Sequence, residues 1–169
     1  MKSVFILLFI FVFTMASAQT TTLKIGDIAP AFSGKDQDAK PISLSSFKGK
    51  KVVLYFYPKD QTPGCTAQAC NLRDNADRLT QEGYVILGVS TDDEASHREF
   101  REKYNLPFTL VADTDKSITK GYGVWVEKER NGEKYWGTAR TTFIIDANGK
   151  ITDIIDKVET KDHASQILH

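Results

Sequence analysis

The sequence predicts an α/β domain with a central mixed sheet and flanking helices. Three observations carry this reading. Two apolar runs, Val52 to Tyr57 and Tyr84 to Ser90, lack the apolar/polar alternation of a half-exposed strand and read as buried strands. Segments of helical periodicity separate them from each other and from a third strand, the strand-helix-strand order of a parallel βαβ core. Two turn signals near the C-terminus, Asn131-Gly132 and Ala147-Asn148-Gly149, each mark a hairpin and add antiparallel strands. At 169 residues the chain has the size of one domain, and 41% hydrophobic with 26% charged residues excludes a disordered or repetitive chain.

The first residues stand apart from that domain. Met1-Lys2-Ser3 is a short basic start, Val4 to Phe13 an apolar run, and Ala16-Ser17-Ala18 a cleavage pattern. The run is shorter than the roughly 20 residues that span a bilayer. A signal peptide over residues 1–18 is expected, with a mature domain over 19–169 that is exported, periplasmic or secreted, and free of the membrane after cleavage.

In the mature chain, Leu23 to Asp27 and the stretch from Ala29 to Leu44 read as short edge strands, and Ser45 to Lys51 as a turn or short helix. After the Val52 to Tyr57 strand, Pro58 ends the ladder and Thr62-Pro63-Gly64 is loop material. A helix opens near Cys65 and runs to about Gln81, with Leu72, Ala76 and Leu79 on one face, until Glu82-Gly83 stops it. Asp92 to Tyr104 reads as a helix, Pro107 to Val111 as a strand, and Ser117 to Tyr122 as a short helix. Gly123 to Trp136 folds as a surface hairpin, Arg140 to Ile155 as a second one, and Lys161 to His169 closes the domain as a helix.

Charge is balanced, 22 basic against 22 acidic residues, so nothing argues for nucleic acid or a membrane surface as a partner. A small, weakly charged substrate fits better. His97, His163 and His169 have no metal-ligand spacing and read as surface residues; no metal or cofactor is called for. Trp125 and Trp136 read as packing residues, and Glu127-Lys128-Glu129-Arg130 as a solvated hairpin tip.

The chemistry concentrates between Tyr55 and Cys70, which holds both cysteines. Cys65 lies where a helix starts, and there free N–H groups and the positive end of the helix dipole stabilise negative charge, so the sequence proposes a thiolate. Two cysteines in an oxidising compartment form a structural disulfide by default. Helical spacing argues against it, since five residues give about 7.5 Å of rise and place the two Cα atoms roughly 8 to 9 Å apart, where a disulfide needs about 7 Å or less. Bonding would need part of the helix to unwind, which suits a redox cycle better than a brace. A thiolate that attacks a peroxide needs a cation, a hydroxyl to align the oxygens, donors for the leaving oxygen and a wall against water. Thr62 and Pro58 are placed for the hydroxyl and the wall; the cation is not visible in the local sequence.

The pattern Pro58-x3-Thr62-x2-Cys65 resembles the active-site motif of the peroxiredoxins. Lys59 to Thr66 followed by Cys70 is similar to the bacterioferritin comigratory protein branch, also called peroxiredoxin Q. Ser90-Thr91-Asp92, Pro107 to Leu110, Tyr122 to Trp125 and Arg140 to Asp146 agree with segments of that family in the same order. The resemblance implies a thioredoxin-like fold and a thiol-dependent peroxidase acting on hydrogen peroxide and organic hydroperoxides, recycled by a thioredoxin-like or other dithiol reductant; a monomer is expected, though the sequence itself does not fix the oligomeric state. It implies that Cys65 is the peroxidatic cysteine and Cys70 the resolving one, joined in an intramolecular Cys65-Cys70 disulfide. Thr62 would orient the substrate, Pro58 shield the thiolate, Arg140 supply the cation, and the amides of Gly64 and Cys65 the remaining donors. Relatives often have Glu where this chain has Gln68, which bears on the charge expected near Cys70.

Two other functions compete. An exported thiol-disulfide oxidoreductase of thioredoxin type would use Cys-x2-Cys, whereas four residues separate these cysteines. A purely structural domain braced by a disulfide would show no peroxide reactivity.

Overall fold

The computed structural model describes residues 21–168. The expected signal peptide and His169 lie outside them. Strands β1 (Ser33–Asp36) and β2 (Pro41–Ser43) pair antiparallel, and a 3-10 turn over Leu44–Phe47 leads to β3 (Lys51–Phe56). Helices α1 (Pro63–Asp74) and α2 (Ala76–Gln81) follow, then β4 (Tyr84–Ser90), α3 (Glu94–Tyr104), β5 (Thr109–Ala112) and α4 (Ser117–Gly121). Strands β6 (Trp125–Arg130) and β7 (Glu133–Thr138) form a separate hairpin. The chain then returns through β8 (Thr141–Ile145) and β9 (Ile151–Ile155) and ends with α5 (His163–Ile167).

The main sheet has the order β2-β1-β5-β4-β3-β8-β9. Strands β3, β4 and β5 are mutually parallel, while β8 lies antiparallel on the other edge of β3. β3 is thus interior, which is why it shows no alternation. Val53, Tyr55 and Tyr57 enter a core beneath α1, α2, α3 and α5, and Val52, Leu54 and Phe56 enter a second core on the opposite face. At Gly88, opposite Tyr55 in the β3/β4 register, a Cβ would sit 2.7 Å from the Tyr55 ring and hydroxyl, so only glycine leaves room for that phenol.

Three expectations are corrected. Leu23 to Asp27 is a turn rather than a strand: Asp27 accepts the Lys24 N–H through Oδ2 at 2.8 Å and Gly26 takes φ +96°, turn chemistry that stands in place of a ladder, although the Gly26 N–H still reaches the Ile151 carbonyl at 2.8 Å and the Asp27 carbonyl accepts the Ile151 N–H at 2.9 Å. The long helix ending at Gln81 breaks at Asn75, whose side chain donates to the Asn71 carbonyl at 2.9 Å while its own N–H turns to Arg73. Trp136 is 60% exposed and packs little, because it lies on the outer face of a hairpin that leaves the main sheet. The hairpin turn itself is as the sequence indicates, with Asn131 and Gly132 both at positive φ, the type I′ requirement.

Among the described residues no helix is long and apolar enough to cross a membrane. No group of three or more His, Cys, Asp or Glu among them could hold a metal ion.

Candidate active site

β3 delivers the chain to the end of the sheet, where Tyr57 makes the last ladder bond, to the Val89 carbonyl at 3.1 Å. Pro58 follows, half-buried and without an N–H to extend the pairing. The loop turns at Gln61, at φ +58°, and α1 starts with Pro63 at its first position and Cys65 at its third. The first intrahelical bond runs from Thr66 N to Thr62 O, so the Gly64 and Cys65 N–H groups precede the helical ladder. Cys65 is buried at 2% exposure, and both cysteines are free thiols.

The cation absent from the local sequence arrives from the residue preceding β8. Arg140 Nη2 lies 3.4 Å from Cys65 Sγ, and Nη1 donates to Gln68 Oε1. Among the described residues no carboxylate forms an ion pair with Arg140, so its charge is directed at the sulfur and at a neutral amide. A Cβ at Gly64 would come 3.4 Å from Arg140 Nη2, so Gly64 lets the guanidinium lie close over the helix start. Lys128, half-buried rather than fully solvated, donates from Nζ to the Thr138 carbonyl; burial and then the Arg140 charge lower its pKa, while Cys65 opposes the shift.

Thr62 Oγ1 donates to the Lys59 carbonyl at 3.0 Å. Its own proton is committed inward, which leaves oxygen lone pairs to accept a hydrogen bond from a peroxide. Cys70 is half-buried on α1, five residues beyond Cys65 in one continuous helix, so no disulfide can form without unwinding. The cation beside Cys70 is Arg73, whose pKa is raised chiefly by its bond to Asp74, with Cys70 adding to the effect.

The structure overturns the surface assignment of His97 and His163, both 0% exposed. His97 Nδ1 lies 2.8 Å from Asp60 Oδ2, and the same carboxylate accepts from the Tyr57 hydroxyl (2.7 Å) and Ser96 Oγ (2.8 Å). The Asp60 N–H donates to Asp92 at 2.9 Å. These bonds tie the Pro58 to Thr62 loop to α3 and to the turn that precedes it. His163, on α5, stands 3.0 Å from Gln68 Nε2. Gln68 thus links His163 to Arg140, the residue that lies on the Cys65 sulfur. The sequence holds one signal for His97, since His97 and Phe100 share the α3 face that packs on the sheet; none marks the pairing of Asp60 with His97 or of Gln68 with His163.

Tyr55 Oη has no hydrogen-bond partner among the described residues. Burial first, then the charges of Asp60 and Cys65, raise its pKa well above that of an ordinary phenol, so it stays protonated.

A thioredoxin-like sheet whose interior strand runs into a helix bearing a buried cysteine, with a guanidinium on the sulfur, defines a thiol-based redox protein. Comparison with known proteins narrows the class: the AhpC/TSA family pattern matches residues 25–154, and the chain belongs to that family. It is 48% identical over 147 residues to peroxiredoxin Bcp of Escherichia coli K12 and 42% identical over 147 residues to peroxiredoxin Bcp of Bacillus subtilis 168, in both cases across 87% of this chain and 94% of the relative. Among solved structures it resembles the bacterioferritin comigratory protein of Xanthomonas campestris, described for its alkyl peroxide reduction activity. The match has a TM-score of 0.79 and 30% identity, over 88% of this chain and 94% of the other.

Proposed function

We propose that this chain is a peroxiredoxin of the Bcp/peroxiredoxin Q branch, an exported, monomeric thiol-dependent peroxidase that reduces hydrogen peroxide and organic hydroperoxides. The observation that carries the reading is Arg140 Nη2 at 3.4 Å from Sγ of a buried cysteine in the first turn of α1. The Xanthomonas campestris relative's alkyl peroxide reduction activity supports the substrate class.

In the proposed cycle the Cys65 thiolate attacks one peroxide oxygen. The O–O bond breaks, an S–O bond forms, and the other oxygen leaves as water or an alcohol after taking a proton, giving a Cys65 sulfenic acid. Thr62 accepts the peroxide O–H, the Gly64 and Cys65 amides and Arg140 stabilise charge as it develops on oxygen, and Pro58 shields the sulfur from water. The Cys70 thiol then attacks Cys65 sulfur, releasing water and forming the Cys65-Cys70 disulfide, after α1 unwinds. A thioredoxin-like or other dithiol reductant supplies two electrons and two protons to restore both thiols. Export through a signal peptide over residues 1–18, leaving the domain 19–169, rests on the basic start, apolar run and Ala16-Ser17-Ala18 pattern.

The test is peroxide consumption with a dithiol reductant: Cys65→Ser should abolish it, and full retention would sink the assignment. Insulin reduction faster than peroxide reduction would instead favour a thiol-disulfide oxidoreductase.

A further inference from the structure

Arg140 is the cation of the site, yet its second bond goes to no acid. It goes to Gln68, and the amide is one link of a buried chain that continues into the C-terminal helix. Gln68 Oε1 accepts from Arg140 Nη1; Gln68 Nε2 lies 3.0 Å from His163 Nδ1; and His163 Nε2 lies 3.0 Å from Thr142 Oγ1 on β8. Gln68, His163 and Thr142 are each 0% exposed.

The protons along the chain follow from one fixed end. A guanidinium only donates, so the group facing it must be the amide oxygen, and the amide nitrogen must face the imidazole. That nitrogen only donates as well, so Nδ1 must be bare, and the ring proton sits on Nε2 and goes to Thr142. A single neutral tautomer satisfies every link. Burial, with the Arg140 charge adding to it, lowers the His163 pKa to about 4, in keeping with a neutral ring.

We propose that His163 is a positioning residue for the peroxidase reaction, holding Arg140 on the Cys65 sulfur through Gln68. The inference rests on the peroxidase reading above. His163 needs an anchor of its own, because five residues make too short a helix to persist alone. Asn71 supplies it from α1, donating to the Lys161 carbonyl at 2.9 Å and accepting the Ala164 N–H at 2.8 Å. Gln68 and Asn71 flank Cys70. Unwinding that carries Cys70 to Cys65 therefore draws on the same contacts that hold Arg140 in place, and the grip on the sulfur loosens as the disulfide forms.

The experiment measures the rate of Cys65 oxidation by hydrogen peroxide in a single turnover, before reductant is added. In His163→Asn, Oδ1 can replace Nδ1 as the acceptor for Gln68, whereas His163→Leu has no acceptor and His163→Gln can keep the Thr142 bond alone. Loss of Arg140 alignment should slow the Leu and Gln variants roughly 10-fold, with Asn within about 3-fold of wild type. In a Gln68→Met background, His163→Leu should add no further loss. An unchanged rate in a folded Leu or Gln variant, equal losses in all three, or full additivity with Gln68→Met would overturn the proposal. If the Leu variant does not fold, the Asn and Gln pair decides alone. The outcome is separable from the peroxidase reading, since Cys65→Ser tests that reading and these variants test only the rate of a reaction already present.

Discussion

Acidification should destabilise this protein through His163. The ring is fully buried with a pKa of about 4, against 6.5 for an unhindered imidazole. Because the folded value is depressed, the unfolded chain takes up a proton first as pH falls. The stability is fully present above about pH 6.5, erodes below it, and its His163 share is gone below about pH 4. A shift of this size corresponds to about 3 kcal/mol in full, of which about 2 kcal/mol is lost between pH 7 and pH 5. Urea unfolding at both pH values, on wild type and on His163→Asn, isolates the term: His97 and the carboxylates are present in both proteins and cancel. The variant should lose about 2 kcal/mol less than wild type over that interval. Equal losses in the two proteins would refute a neutral, buried His163.

Two further outcomes follow from the site. Arg140→Met removes the cation from the sulfur and the donor from Gln68. A charge-assisted bond is worth about 1.5 to 3 kcal/mol, so kcat/KM for peroxide should fall roughly 10- to 100-fold, and stopped-flow oxidation within 2-fold of wild type would contradict the role. Tyr55→Phe removes a buried hydroxyl that has no partner among the described residues, so denaturant unfolding should show a gain of about 1 kcal/mol, whereas a loss of that size would reveal a partner for the hydroxyl.

Much of the architecture is legible in the sequence because β3 and β4 are buried on both faces, and a short apolar run without alternation, bounded by turn residues, suits an interior strand. The hairpin turn is legible for a similar reason, since Asn131-Gly132 meets a dihedral requirement that few pairs of residues meet. The break at Asn75 is not, because apolar spacing continues through Ala76 and Leu79 and only a side-chain bond to the Asn71 carbonyl interrupts the ladder. At the site, Cys65 and Thr62 follow from local order along one loop. Arg140 is 75 residues from Cys65 and is reached only through a resemblance to a family, since nothing in its neighbourhood marks it as a sulfur ligand. His97 and His163 mislead for one physical reason: a histidine in a polar segment reads as exposed unless its partner is known, and the partners, Asp60 and Gln68, lie 37 and 95 residues away.

At the centre of the proposed cycle is a helix that holds Cys65 and Cys70 apart as free thiols and gives way when Cys65 is oxidised. Mass spectrometry after one equivalent of hydrogen peroxide tests this most directly, on the tryptic peptide Asp60 to Arg73, which carries both cysteines. The predicted result is the loss of two hydrogens with both thiols closed to alkylation, and in Cys70→Ser the gain of one oxygen on Cys65. Wild-type peptide that keeps an added oxygen on Cys65 while Cys70 remains open to alkylation, or that shows no change at all, would contradict it.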